Sequence, residues 1–271
     1  MSADTVVALP MYDLPEVAAA TDAFWAGLRS HLVAAGVTEL PQQRIQPDEA
    51  YAHWLDDHLL LSQTCGYPLT HILRDRVRYL ATPSYAAEGC GEGTYCSFIV
   101  LRSDDAARTG IDLAGRKAAF NGTDSQSGYN VLRLYLAEGG LAPGSLGGAV
   151  ESGSHRRSVA MVKTGVADFC AVDCVTWALL EKHAPGEVAG LKIVAQSEPA
   201  PCLPFITGLR TPVENIGCLR VGLIAAGNDP VLETARAALL LDSVLVLDES
   251  AYDVILDQER RAAAAGWSAL A

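Results

Sequence analysis

The residues best suited to chemistry in this chain lie in Asn121-Gly122-Thr123-Asp124-Ser125-Gln126-Ser127-Gly128-Tyr129. The segment falls between an apolar run ending at Phe120 and an amphipathic run that opens at Gly128. Ser125 or Ser127 can cap the helix. Gly128 allows close backbone approach. The first-turn N–H groups and the helix dipole can then hold an oxyanion without a formal cation. The same residues also read as an ordinary serine-capped helix behind a solvated loop. Ser152-Gly153-Ser154-His155-Arg156-Arg157-Ser158 occupies the equivalent place one strand–helix unit later. There His155 can donate to a phosphoryl or carboxylate oxygen, or sit at the surface. Asp173 closes the next apolar run, where its carboxylate either meets a ligand amine or caps the following helix. Tyr12 follows the first strand, and Ser62, Gln63 and Thr64 follow a later one. Ligands of open α/β sheets collect at such strand ends, but a ring packed under the Pro10 and Pro15 loop and hydroxyls satisfying turn backbone explain these four equally well.

These loops need a scaffold that brings strand ends together, and the bulk composition fits one. The chain has 271 residues, 50% hydrophobic and 19% charged, with only 5 Phe and 4 Trp. Ala, Val, Leu and Ile must fill the core, as in alternating α/β folds. A formal net charge of −12 argues against nucleic acid and anionic membrane faces as partners. An anion site here must therefore rest on local donors rather than on a positive field. No apolar run approaches the ~18 residues of a bilayer span, so no membrane insertion is expected. Seven scattered cysteines lack paired Cys-x-x-Cys spacing, which predicts reduced thiols and no metal site, and no cofactor is called for. The stretch Met1-Ser2-Ala3-Asp4-Thr5-Val6-Val7 has no basic and apolar leader pattern. The expected location is cytoplasmic, or periplasmic if an export signal once preceded Met1.

Short apolar runs alternate with amphipathic stretches along the chain, predicting a two-lobed α/β protein with a mainly parallel sheet in each lobe, helices on its faces and a ligand cleft between the lobes. A crossing is expected near residues 85–97 and a return at the proline-rich 199–204. The predicted first lobe is thus discontinuous, residues 1–96 plus 199–271, and the second lobe is 97–198. Residues 229–246 and 249–264 read as two closing helices.

Taken in order, Ser125-Gln126-Ser127-Gly128-Tyr129, Gly153-Ser154-His155 and Gly165-Val166-Ala167-Asp168-Phe169-Cys170-Ala171-Val172-Asp173 resemble the phosphate/phosphonate-binding protein family of ABC transporters, with a type II periplasmic-binding-protein fold. The resemblance spans nearly the whole chain. It implies that Ser125, Gln126, Ser127 and His155 hold phosphonyl oxygens and that Asp173 meets a ligand amine. Gln126 stands where a hydroxyl residue often occurs in the family, and the loops around Tyr12 and Ser62 to Thr64 match it less closely, which points to a divergent branch with a different organic moiety.

The function expected is non-catalytic capture of a small anion (phosphonate, phosphate or phosphate ester) by hinge closure, with an ABC permease as the implied partner. No Gly-x-Ser-x-Gly, His-Glu-x-x-His or phosphate-loop pattern is present. The competing expectation is a cytosolic enzyme of the same fold acting in cofactor-precursor synthesis, with His155 as general acid/base, Asp173 as its partner and Cys65 as nucleophile.

Overall fold

The structure, a computed structural model, describes residues 5–270; the reading of Met1 to Asp4 as free of an export leader lies outside that range. The described chain starts with β1 (Val6–Val7), α1 (Ala18–Ala34), α2 (Ala50–Trp54), β2 (Leu59–Gln63), α3 (Gly66–Thr70) and β3 (Val77–Tyr85). It continues through β4 (Thr94–Tyr95), β5 (Ser97–Arg102), β6 (Lys117–Phe120), α4 (Val131–Glu138), β7 (Gly148–Glu151), α5 (His155–Lys163), β8 (Phe169–Asp173), α6 (Cys174–His183), α7 (Pro185–Val188) and β9 (Leu191–Gln196). After β10 (Ala200–Pro201) come β11 (Phe205–Gly208), α8 (Val213–Asn228), α9 (Glu233–Ala238), β12 (Leu241–Leu245) and α10 (Asp253–Ala264). No helix of the described residues is long and apolar enough to cross a membrane.

Two compact units result. The first takes residues through Ala86, then Gly91–Gly93 and Pro201–Ala251; the second takes Ala87–Cys90, Thr94–Ala200 and everything from Tyr252 onward. The first unit's sheet runs β1-β2-β11-β3-β12 and the second's β7-β6-β8-β5-β9. Both sheets are mixed, not mainly parallel as expected. The strands β6, β7 and β8 are joined through helices and pair in parallel, because a crossover helix returns the chain to the same end of the sheet. By contrast β5 is antiparallel to both β8 and β9, and β11 is antiparallel to both β2 and β3. All four of the strands β3, β5, β9 and β11 flank the places where the chain passes from one unit to the other. They are not products of local strand–helix–strand units, so the crossover rule does not govern them.

The expected closing helix over 229–246 is also corrected. Helix α9 stops at Ala238, Leu240 takes a positive φ of 57°, and β12 adds antiparallel to β3. The apolar run through Leu239, Leu240 and Leu241 fits a helix or a strand by periodicity alone; an edge of β3 in need of a partner decides it. Helix α8, unforeseen in the sequence, packs against α1, where a Cβ on Gly222 would come within 2.6 Å of a Leu32 methyl.

A further correction concerns the C-terminal segment, expected in the first lobe. Its residues complete the core of the second unit, where Trp267 and Ala262 pack with Phe169, Ile99, Leu132 and Leu136. Fully burying such side chains contributes roughly 1.5–3 kcal/mol each. The buried Arg133 guanidinium fixes the attachment, donating to Ser268 O at 2.9 Å and to Asn130 Oδ1 at 2.8 Å. The apolar face of α10 and this buried cation both need the second unit.

Candidate functional site: three helix starts around a serine–histidine pair

In the second unit the adjacent parallel strands β7, β6 and β8 end at one edge of the sheet, and each is followed by a helix start. Local caps account for all three. Ser125 Oγ accepts from Gly128 N (3.0 Å) ahead of a π-helical turn, Gln126–Asn130, that runs into α4. Ser154 Oγ accepts from Arg157 N (3.2 Å) at α5. Asp173 Oδ1 accepts from Thr176 N (2.8 Å) at α6. The remaining first-turn N–H groups and the positive dipole ends of three helices thus gather at one sheet edge, the arrangement that binds anions without cationic side chains.

The loop after β7 is clamped to the end of β6. Ser152 Oγ, itself buried, lies 3.0 Å from Phe120 O and 2.7 Å from Ser158 Oγ. That clamp sets His155 beside the serine turn, where its Nε2 is 2.8 Å from Ser127 Oγ and 3.4 Å from Asp173 Oδ2. Gly128 is required here for space, since a Cβ would lie 1.9 Å from Asn121 Oδ1 and 3.1 Å from His155 Cε1. Burial holds the His155 imidazole below its ordinary pKa, opposed by Asp173 and by the Ala171 backbone. Its Nδ1 is buried and finds no hydrogen-bond partner among the described residues. Burial likewise raises the Asp173 carboxyl, opposed by His155 and by Thr176. Burial thus favours the neutral form of each group, and the attraction between the two charged forms only partly offsets it.

The structure brings Ser127, His155 and Asp173 together and assigns other work to their neighbours. Ser125 is a cap. Gln126 is buried with both ends of its amide engaged: Nε2 donates to Gln258 Oε1 (2.5 Å) and Oε1 accepts from Asn130 Nδ2 (2.7 Å). It ties the serine turn to α10. Both oxygens of Asp173 are engaged too, Oδ2 accepting from Thr176 Oγ1 at 2.6 Å, so the helix-capping alternative is the one realised. Asn121 opens the serine-rich segment but carried no expected role of its own. Its Oδ1 is buried beside Gly128 and finds no hydrogen-bond partner among the described residues. Its position one residue past the end of β6 was the available signal.

In the first unit, Tyr12 and Gln63 line one pocket together with Met11, Tyr85, Phe205 and Leu241. Tyr12 sits edge-on to Tyr85, ring centroids 5.1 Å apart, on a backbone with φ of 62°. Holding a bulky residue there costs about 1–3 kcal/mol, and such strain clusters at ligand clamps. Successive residues of a strand face opposite ways, so Ser62 turns from this pocket to His53, with its Oγ 2.9 Å from His53 Nε2. Thr64 is fully buried; its N–H donates to Pro204 O at 3.0 Å and its hydroxyl lies 3.4 Å from Cys65 O.

The comparisons with known proteins agree with this architecture. Residues 8–252 match the family described as ABC transporter, phosphonate, periplasmic substrate-binding protein, and the chain belongs to that family. Among solved structures, a binding protein component of an ABC phosphonate transporter from Pseudomonas aeruginosa aligns at TM-score 0.78 and 16% identity, covering 97% of this chain and 88% of the other. PhnD1 from Prochlorococcus marinus in complex with methylphosphonate aligns at TM-score 0.75 and 14% identity, covering 95% and 98%. XAC2383 from Xanthomonas citri bound to ATP aligns at TM-score 0.71 and 17% identity, covering 97% and 98%. The fold is that of the type II periplasmic binding proteins. No curated protein matches the chain.

Proposed function

We propose that this protein captures a small phosphonate or phosphate-ester anion, non-catalytically, with the phosphoryl oxygens held by the serine turn and His155 of the second unit. The observation that carries this reading is the 2.8 Å Ser127–His155 pair set among three helix N-termini at one sheet edge. An ABC permease would receive the cargo. A methylphosphonate-bound and an ATP-bound structure both share this fold; the chemistry common to those two ligands is the tetrahedral phosphorus oxyanion, the group that the second unit's donors suit.

Geometry weighs against Ser127 as a nucleophile activated by His155 and Asp173. In a serine–histidine–aspartate relay, the hydroxyl and the carboxylate address different ring nitrogens. Here Ser127 and Asp173 approach the same one, Nε2, so Asp173 cannot orient a His155 base toward Ser127.

Isothermal titration of the wild-type chain with methylphosphonate, aminoethylphosphonate, AMP and ATP tests the proposal. At least one of these should bind, and Ser127→Ala and His155→Ala should each weaken it about 10-fold or more, as expected for hydrogen bonds to a charged group worth roughly 1.5–3 kcal/mol. Undiminished affinity in both variants, or binding of none of the four, would overturn it.

A further inference from the structure

Three cysteines of the second unit meet at the start of α6, outside the roles described above. Cys174 is the first residue of that helix and fully buried. Its Sγ lies 3.4 Å from Cys90 Sγ, and its N–H donates to Cys96 O at 3.0 Å. Gly89 makes the approach possible: a Cβ there would lie 2.6 Å from Cys96 Sγ and 3.3 Å from Cys174 Cβ. The thiols of Cys90 and Cys96 donate to Cys174 and hold its pKa down, and a helix N-terminus acts in the same direction. The Cys96 thiol, hydrogen-bonded to Cys174 and buried, is held up and stays protonated. Cys90 alone of the three is partly exposed. The cluster therefore combines a buried, thiolate-favouring sulfur with an accessible partner already near contact; a bond at ~2.05 Å needs only a small rotation of either side chain.

We propose that Cys90 and Cys174 are a dithiol–disulfide pair that reacts with low-molecular-weight disulfides. Cys90 loses its proton to solvent and, as the thiolate, attacks the small disulfide. That S–S bond breaks, a Cys90 mixed disulfide forms, and one small thiolate leaves and is protonated by solvent. The Cys174 thiolate attacks the Cys90 sulfur; the internal S–S bond forms and the second small thiolate departs to be protonated by solvent. Two electrons pass from the two cysteines to the small disulfide, which is reduced to two thiols. The product ties residues 87–90, which follow directly on Ala86 of the first unit in sequence, to the residue after Asp173.

The test uses the full chain treated with oxidised glutathione and mapped by mass spectrometry of non-reduced peptides. A single internal Cys90–Cys174 bridge without retained glutathione, reversed by dithiothreitol, is expected. Cys174→Ser should trap a stable glutathione adduct on Cys90, Cys90→Ser should yield neither bridge nor adduct at this cluster, and Cys96→Ser should still form the bridge. A wild-type chain that keeps both thiols reduced, a bridge that joins Cys96 in place of Cys90, or a Cys174→Ser chain without an adduct on Cys90 would overturn the proposal. The wild-type map stands whether or not a variant folds.

Discussion

His155 is the residue whose burial and partners most directly set a measurable property. Its folded pKa lies below the 6.5 of an exposed histidine because burial disfavours the charged ring. As pH falls through 6.5, the unfolded chain takes up a proton that the folded chain refuses, so stability present at higher pH is lost in that window. The buried His53 shifts in the same direction. Asp173 has the opposite sign: its folded pKa is raised above 3.8, so the folded state keeps a proton that the unfolded chain has released. Its contribution declines as pH rises through that folded value. His155→Gln should therefore make the melting temperature fall less steeply between about pH 7 and pH 5.5, leaving the His53 part of the slope. Thermal melts across that range check this, and an unchanged slope would mean that the ring is not buried as a neutral group.

At the scale of elements, the serine turn is held from behind by α10. Gln126 donates to Gln258, and Asn130 Nδ2 bridges Gln126 Oε1 and Ile255 O, at 2.7 and 3.1 Å. The turn opens as a π-helix, a form that often marks functional sites, and the amide network compensates for its irregular backbone. Gln258→Ala strands the buried Gln126 amide and should cost about 1–3 kcal/mol, read as a lower urea midpoint with an unchanged m-value. A variant as stable as the wild type would show that the network is dispensable to the turn.

Over the whole molecule, the formal charge of −12 opposes the approach of any anion, while the proposed site attracts it only at short range through backbone dipoles and hydroxyls. Salt screens the long-range repulsion, with a Debye length falling from roughly 30 Å at 0.01 M to roughly 8 Å at 0.15 M, and leaves contact hydrogen bonds largely intact. Stopped-flow association of methylphosphonate should thus become faster as potassium gluconate is raised across that range. A rate that falls instead would point to a cationic entry path.

Much of the candidate site in the second unit is legible in the amino-acid sequence alone. Ser127 and His155 sit at equivalent positions after two apolar strands, and because crossover helices make those strands parallel neighbours, sequence position implies that they share an edge. The choice among local alternatives is not legible there: whether Asp173 caps or awaits a ligand is a choice between two roles that the same carboxylate can fill beside Thr176, and whether Gln126 faces a guest or α10 depends on Gln258, a partner distant in sequence. For the same reason the antiparallel β5 and β11, the strand at Leu241–Leu245 and the docking of the C-terminal segment on the second unit escape periodicity. Apolar patterning shows that a face must be buried, but only the assembled core decides against what.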